Sequence, residues 1–216
     1  MMNRALIDEI HDKDVRVVHL SGVTPALSVS AKDLTEYLVT DRPFGPALLS
    51  FDVNYRASLW NGDAPQALLA LAQACDIVFV GLDEAQTLWG TRTAEDVRGL
   101  ISQGTLVVKD GSREAVTFTE HGVTRVPAQP VQVVEPVGAG DAFAGGWLSG
   151  LLRGLTQEDR LRLGHLVAAR VLRSTSDTAS LPPWELLCSE IGERSQPGRN
   201  DDSNIHTSRA KIGSVQ

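Results

Sequence analysis

Residues 136–146 read PVGAGDAFAGG, a glycine-rich run that leads from a strand-like segment into a helix. The strand-like segment is residues 131–134, and Phe143 and Trp147 begin the apolar pattern of the helix. Glycines at such a junction let the backbone turn tightly with its N–H groups outward, and a helix N-terminus adds unpaired donors and a partial positive charge. The run therefore predicts a binding site for a phosphate or a developing oxyanion, with Asp141 placed to take a proton from a nucleophile.

Two common glycine motifs fit this run less well. A dinucleotide-binding fingerprint needs a third glycine where Phe143 stands, and it normally lies in the first strand–helix–strand unit of a chain. A Walker A loop needs a Gly-Lys-Ser or Gly-Lys-Thr sequence, which the run lacks. The simplest alternative is structural, with Asp141 as an acidic residue in the first turn of an ordinary helix that has flexible glycines.

The chain has the composition of a soluble globular domain. Of its 216 residues 42% are hydrophobic and 22% are charged, and the net charge is -7. The lack of a dense basic stripe disfavours nucleic-acid binding, and the acidic start and short apolar runs predict neither a signal peptide nor a membrane span. Cys75 and Cys188 lie far apart and indicate neither a zinc site nor a disulfide scaffold. We therefore expect a cytoplasmic protein with one domain over residues 1–192 and a disordered polar tail over residues 193–216.

Strand-like and helical patterns alternate along the chain, which favours a doubly wound, mostly parallel α/β sheet. Ser30 and Thr156 are the expected N-caps of two of the helices. The predicted strands are residues 15–20, 47–51, 77–80, 105–109, 114–118 and 123–126, the last two as a hairpin, and the predicted helices are residues 3–12, 30–39, 63–74, 84–89, 93–102, the glycine motif onward to about 153, and 156–173.

Polar side chains follow the predicted strands at four places. Ligands of open parallel sheets bind beyond the carboxyl ends of the strands, so these side chains are expected to converge on one site. The four groups are Asp52, Asn54 and Arg56; Asp83 and Glu84; residues 109–112; and residues 138–141.

Three segments resemble one enzyme family. Residues 134–146 closely resemble the C-terminal signature of the ribokinase (PfkB) family of sugar kinases, and residues 107–111 resemble the family's strand and nucleotide-side loop. Residues 51–56, followed by Leu59 and Trp60, look like a segment of the 2-keto-3-deoxygluconate kinase branch. The resemblance runs from about residue 15 to 187 and implies a ribokinase-like fold with three layers and a mostly parallel sheet.

The resemblance also implies an N-terminally truncated member of the family. Family members carry, before the matching segment, a long part with a first glycine-rich signature, most sugar-hydroxyl contacts and a β-strand lid. Nothing in this chain resembles those elements, so we expect an exposed sheet edge and an incomplete substrate side.

The resemblance implies transfer of the γ-phosphate of ATP to a hydroxyl of a sugar or sugar acid, with Mg²⁺ as the metal ion. Asp141 would be the base, and the amides of Gly138, Ala139, Gly140 and Asp141 would form an anion hole. The implied nucleotide-binding residues are Lys109, Gly111, Ser112 and His165; the implied substrate-binding residues are Arg56, Asp141 and Asp177; and Glu84 would hold Mg²⁺ through water.

Each implied role has a structural alternative. Lys109 could be a solvated charge at a strand end, and His165 a packed helical residue. Glu84 could simply be an acid in the first turn of a helix, and Arg56 could form an ion pair with Asp52 on a loop. Tyr55 and Trp60 are expected to pack rather than to bind substrate.

Three departures from the family pattern leave the function open. Gly81 stands in place of the Asn of the Asn-x-x-Glu motif, Glu114 in place of a common glycine, and Glu135 in place of the usual Asp. The candidate functions are a sugar or sugar-acid kinase and a non-catalytic remnant that still binds nucleotide or joins a chain supplying the lid. A dinucleotide-binding oxidoreductase is disfavoured by Phe143. A homodimer is also implied, because family members often dimerise through the lid.

Overall fold

The computed structural model describes residue 7 and residues 14–60, 62–174 and 180–192. The predicted helix at residues 3–12, apart from Ile7, and the predicted tail at residues 193–216 lie outside this part. The strands are β1 Val17–Ser21, β2 Leu48–Asp52, β3 Ile77–Gly81, β4 Thr105–Asp110, β5 Glu114–Thr119 and β6 Gly122–Pro127; the helices are α1 Thr24–Leu27, α2 Val29–Thr40, α3 Ala64–Ala74, α4 Leu82–Trp89, α5 Ala94–Leu100, α6 Ala139–Leu152, α7 Gln157–Leu172 and α8 Trp184–Ile191.

The six strands form one mixed sheet in the order β1-β2-β3-β4-β5-β6. Strands β1 to β4 run parallel to one another, and β5 and β6 follow as an antiparallel hairpin. The sheet and its hairpin confirm the predicted α/β class. Within the described residues β1 pairs only with β2, so it is an edge strand.

Helices cover both faces of the sheet, which confirms the predicted three layers. One core packs the helices between the parallel strands against side chains such as Phe51 and Val80. The other packs α6 and α7 against the opposite face, where Trp147 meets Phe79. All five residues of β3 are buried, as expected for a central strand covered on both sides.

Helix starts follow local capping chemistry. Thr156 accepts the N–H of Asp159 at 3.2 Å, as predicted for the N-cap of α7. The prediction of Ser30 as the N-cap of α2 is wrong. Ser28 has the extended backbone of a cap and accepts the N–H of Ala31 at 3.2 Å, so the helix begins two residues earlier than expected.

The strand-like run at residues 131–134 is not a strand, which corrects the sequence-based prediction. Its last residue turns away from the sheet, because the N–H groups of Val134 and Glu135 both point to the carbonyl of Leu172 at the end of α7, at 2.7 and 3.3 Å. Pro130 and Pro136 flank the segment, and proline cannot donate to a sheet ladder. The glycine motif therefore follows an irregular loop.

Among the described helices, none combines the length and the apolar character needed to cross a bilayer.

Candidate active site

A cleft of about 970 Å³ lies at the carboxyl ends of β2, β3 and β4. Members of all four predicted polar groups line it, so the expected convergence at the sheet edge is observed. The other walls come from the loop before α6 and from one side of α7. The lining includes Asp52, Asn54, Arg56, Asp83, Glu84, Lys109, Gly111, Ser112, Gly138, Ala139, Gly140, Asp141 and His165.

The glycine loop opens α6 toward the cleft. Gly138 is the N-cap and has a φ of 79°, a left-handed backbone that favours glycine. The N–H of Ala139 makes a long turn bond of 3.4 Å to Pro136. For the N–H groups of Gly140 and Asp141, no acceptor is recorded in the described part of the chain, so they remain available to an anion.

Asp141 lies in the first turn of α6 with an exposed side chain. Its Oδ1 accepts a hydrogen bond of 3.4 Å from Asn54 Nδ2, which also donates to Ser21 Oγ at 3.2 Å. Asn54 has a φ of 38°, a conformation that asparagine tolerates better than most residues. The carboxylate is therefore held at the cleft while part of it stays open to a proton donor.

Lys109 lies next to this loop. Its ammonium contacts both oxygens of Asp52, at 3.3 and 3.1 Å, and Asp52 is only 1% exposed. A Cβ atom placed on Gly140 would lie 3.4 Å from Lys109 Nζ, so the positive charge sits directly against the glycine loop. The alternative of a solvated Lys109 charge does not describe this largely buried pair.

Glu84 lies in the first turn of α4, and its side chain accepts backbone N–H groups near the start of that helix. Its two oxygens accept the N–H groups of Gly81 at 2.8 Å and Tyr55 at 2.9 Å. Burial raises the pKa of Glu84 above its ordinary value of 4.5, and the hydrogen bond from Gly81 opposes that shift. The first-turn alternative for Glu84 is thus realised in the structure, and it leaves the carboxylate on the wall of the cleft.

Arg56 is paired differently from the structural alternative. Asp52 is occupied by Lys109, and the acid nearest to Arg56 is Glu84, at 3.8 Å. The Arg56 side chain is 57% exposed, and one of its nitrogens donates to the carbonyl of Tyr55. The guanidinium therefore remains accessible from the cleft. Tyr55 itself packs partly against the core, as expected.

His165 packs in the wall of the cleft. Its Nε2 donates to the carbonyl of Val126 at 3.1 Å, and its ring meets Phe143 edge to face, with centroids 5.2 Å apart. Burial lowers the pKa of His165 below its ordinary value of 6.5, and the hydrogen bond to Val126 opposes that shift. Apolar side chains continue this wall from the loop before α6 and from α7: Pro130, Val131, Val133, Ala168 and Leu172.

The β4–β5 turn forms the opposite side of the cleft. Gly111 has a φ of 51°, which favours glycine, and Ser112 is exposed beside it. Glu114, one of the three departures, is bonded to Arg125 at 2.7 Å, and Arg125 also pairs with Glu95 on α5. Asp177, the third implied substrate contact, lies outside the described residues.

Sequence reasoning placed Asn54 in a polar group at the expected site but gave it no contact with Asp141, and it did not single out His19. A further signal for Asn54 was its type, since asparagine is among the side chains enriched at positive φ. His19 gave no signal, because it occupies one position of an ordinary strand. In the structure His19 Nδ1 lies 3.0 Å from Ser50 Oγ, and burial lowers the pKa of His19 while Asp52 and Asp141 oppose that shift.

A metal ion would find few ligands here. No cluster of three or more His, Cys, Asp or Glu suited to a metal occurs among residues 7, 14–60, 62–174 and 180–192. Mg²⁺ keeps several of its waters and takes few carboxylates. The carboxylate of Glu84, with each oxygen already accepting one N–H, fits a hydrated Mg²⁺ held through water rather than a caged metal.

Comparisons with known proteins agree with the fold and with the motif. The 2-dehydro-3-deoxygluconokinase of Bacillus subtilis (strain 168) is 34% identical over 179 residues, which are 80% of this chain and 55% of that relative. This chain thus spans about half the length of the curated relatives that it matches.

Solved structures give the same result. A crystal structure of a PfkB protein from Polaromonas sp. JS666 superposes with a TM-score of 0.71 at 32% identity, covering 81% of this chain and 59% of that one. The aminoimidazole riboside kinase from Salmonella enterica, complexed with aminoimidazole riboside and an ATP analogue, gives 0.67 at 26%, covering 80% and 61%.

A family profile covers most of the chain. The profile described as pfkB family carbohydrate kinase matches residues 7–184. This match removes the dinucleotide-binding oxidoreductase from the candidate functions. The chain belongs to the pfkB family of carbohydrate kinases.

Proposed function

We propose that this chain provides the catalytic and nucleotide-binding part of an ATP-dependent sugar kinase. The observation that carries the proposal is the position of Asp141, in the first turn of α6 beside free backbone donors and in the same cleft as Lys109. Phosphoryl transfer requires mainly positioning and electrostatic stabilisation, and these groups supply both.

In the proposed reaction a hydroxyl oxygen of the sugar attacks the γ-phosphorus of ATP. The bond from that phosphorus to the β–γ bridging oxygen breaks, and ADP leaves. Asp141 accepts the hydroxyl proton, and it can do so late in the reaction with an ordinary carboxylate. The available N–H groups of Gly140 and Asp141 face the oxygens of the transferred group, and the ammonium of Lys109 adds a positive charge beside them. The amides of Gly138 and Ala139 stay predicted members of the anion hole.

The remaining walls of the cleft suit a nucleotide. The apolar side chains beside His165 offer a slot for a planar base, and the exposed turn at Gly111 and Ser112 allows phosphates to approach the backbone. The Salmonella relative is complexed with an ATP analogue, which supports ATP as the donor. Glu84 is the residue that would hold hydrated Mg²⁺, whose charge would neutralise the phosphates when it is bound.

We propose a sugar acid that resembles 2-keto-3-deoxygluconate as the acceptor. A planar guanidinium binds a carboxylate in a bidentate way, and Arg56 is exposed in the cleft. Several similar proteins are named 2-dehydro-3-deoxygluconokinase, which agrees with an acidic substrate. Asp177 stays a predicted substrate contact, and a homodimer stays a prediction of the family resemblance. A cytoplasmic location stays a prediction from the composition of the sequence.

An assay of ADP release over a panel of neutral sugars and sugar acids tests the proposal. Asp141→Asn should lower Mg²⁺-dependent turnover by about a hundredfold or more, because general-base catalysis typically contributes that much. Asp159→Asn is the matched control, since Asp159 also lies in the first turn of a helix but away from the cleft. Its turnover should stay near that of the wild-type protein.

The same assay separates the two remaining candidate functions. If no substrate raises ADP release above the Asp141→Asn background while ATP still binds, the chain is a non-catalytic nucleotide-binding member. Arg56→Ala tests the acceptor: turnover of sugar acids should fall several-fold more than that of neutral sugars. An equal loss on both classes would argue against carboxylate recognition.

A further inference from the structure

We propose that Asp52 is a positioning residue that holds the ammonium of Lys109 against the glycine loop, where the ammonium binds phosphate oxygens of the nucleotide. The phosphate chemistry of this inference rests on the proposed function. Asp52 itself contacts no phosphate in this arrangement. It acts only through Lys109.

The geometry of the pair carries the inference. Asp52 ends β2 and Lys109 lies near the end of β4, so the ion pair spans the carboxyl end of β3 between them. Both oxygens of Asp52 lie within 3.3 Å of Lys109 Nζ. A side chain added at Gly140 would touch that nitrogen at 3.4 Å, which places the ammonium next to the amides that remain unpaired.

The hydrogen bonds of Lys109 leave capacity for a ligand. An ammonium has three donors and no acceptor. Within the described part of the chain the oxygens of Asp52 are the recorded acceptors for Lys109 Nζ, so at least one donor remains for a further oxygen. The Lys109 side chain is 18% exposed, and both residues line the cleft.

Burial explains why the carboxylate is needed. A flexible lysine at a cleft would otherwise move with its charge into solvent, because its four-carbon stem has many rotamers. Asp52 is 1% exposed and fixed on a central strand, so it holds the ammonium in one place before any ligand arrives. Breaking such a pair should therefore change phosphate binding more than it changes binding of the base.

A double-mutant cycle on the complete chain tests this role by calorimetry with ATP and with adenosine. Asp52→Asn and Lys109→Met should each weaken ATP binding by about tenfold and leave adenosine affinity within about twofold. The double variant should bind ATP no more weakly than Lys109→Met alone. Asp52→Glu, which keeps the carboxylate, should retain most of the ATP affinity.

Asp76→Asn is the matched control, because Asp76 pairs with Arg42 at the other end of the sheet. It should leave both affinities unchanged. Equal losses for ATP and adenosine in Asp52→Asn would assign Asp52 a merely structural role. Additive losses in the double variant, or unchanged or tighter ATP binding in Asp52→Asn, would also overturn the inference. If Asp52→Asn does not fold, Lys109→Met and Asp52→Glu still decide it through the ratio of ATP to adenosine affinity.

The experiment also separates this inference from the proposed function. A chain that turns over no sugar but shows the expected ATP-specific losses contradicts the kinase proposal and supports the role of Asp52. A chain with sugar-dependent turnover but no ATP-specific loss in Asp52→Asn supports the kinase proposal and overturns the role of Asp52. Absence of ATP binding to the wild-type chain contradicts both.

Discussion

The two ends of the sheet carry similar ion pairs with different surroundings. At the amino end Arg42 pairs with Asp76 at 2.8 Å, and both partners also bind backbone: Arg42 donates to Ala74 at 2.9 Å, and Asp76 accepts the N–H of Leu49 at 2.9 Å. At the carboxyl end Lys109 Nζ donates hydrogen bonds to Asp52 and to no other residue in the part of the chain that the structure describes. Backbone contacts make the first pair a brace between strands, whereas the second keeps a donor for a ligand.

The same contrast holds for backbone conformation. In residues 14–60, 62–174 and 180–192 the non-glycine residues with positive φ are Arg42, at 48°, and Asn54, at 38°. Arg42 uses its side chain to tie the amino ends of two strands together. Asn54 directs its amide to the carboxylate of Asp141. One unusual conformation therefore supports the fold, and the other supports the candidate site.

The largest effect is expected when the brace is removed. Arg42→Gly permits the same left-handed backbone but deletes the guanidinium, which removes its ion pair with Asp76. We expect the free energy of unfolding to fall by about 2 kcal/mol, since hydrogen bonds to charged groups contribute about 1.5–3 kcal/mol and part of this pair is exposed to solvent. Urea denaturation measures the loss.

Arg42→Gly should leave nucleotide affinity unchanged in the folded fraction. A loss of ATP affinity in this variant, measured under conditions where it is fully folded, would contradict the division of roles between the two ends. Unchanged stability would show that the backbone contacts of Asp76 suffice without Arg42.

A second test adds one methyl group at the carboxyl end. Gly140→Ala places a Cβ 3.4 Å from Lys109 Nζ, a van der Waals contact that fills the space between the ammonium and the glycine loop and hinders a phosphate oxygen from reaching both. We expect turnover to fall by about tenfold, whereas stability should stay level or rise by up to ~1 kcal/mol, because alanine is the better helix former. Coupled ADP-release kinetics and urea denaturation on the same preparation measure the two effects.

Gly145→Ala is the control within the same helix. A Cβ at Gly145 meets nothing within 4 Å, so stability should rise without a change in turnover. Equal turnover losses in Gly140→Ala and Gly145→Ala would indicate that the helix itself, rather than the space beside Lys109, sets the rate.

Most of the strands and part of the candidate site could be predicted from the sequence, and the reasons are physical. Buried apolar runs predicted β2 and β3 within about one residue, because central strands are covered on both faces. Asp141 and the glycine loop were found because their chemistry lies in one contiguous stretch. The Lys109–Asp52 pair joins side chains 57 positions apart, so only the parallel pairing of the strands reveals it. The segment at residues 131–134 misled the prediction, since its valines favour a strand but its backbone bonds to α7.

A third test uses pH, because His165, whose pKa is lowered, lines the cleft at the carboxyl end of the sheet. Burial lowers the pKa of His165 below 6.5, so the unfolded chain binds more protons than the folded chain below that pH. Stability should therefore decrease as pH falls below about 6.5. His165→Gln keeps a donor for the carbonyl of Val126 but does not titrate. The free energy of unfolding of this variant should fall less steeply with decreasing pH than that of the wild type, by less than about 1.4 kcal/mol per pH unit, which is the limit for one proton.

Chemical denaturation at a series of pH values between 5 and 7.5 measures this slope. At the amino end the buried thiol of Cys75 does not titrate in this range, since burial raises its pKa to about 12 and it stays protonated throughout. An identical slope in His165→Gln and wild type would mean that His165 does not couple folding to protons.

The smallest expected effect is also the sharpest comparison, because Asn54→Gly matches Arg42→Gly at the opposite end of the sheet. Each variant deletes one side chain from a left-handed position without asking the backbone to move. Asn54→Gly should change stability by less than about 0.5 kcal/mol, since relief of strain offsets the lost hydrogen bonds. It should lower kcat by about three- to tenfold, because Asp141 loses a bond worth about 1 kcal/mol that orients its carboxylate. Steady-state kinetics with saturating ATP measure this change.

If Asn54→Gly instead lost as much stability as Arg42→Gly and kept its kcat, Asn54 would be a second brace, and the carboxyl end would orient Asp141 through α6 alone.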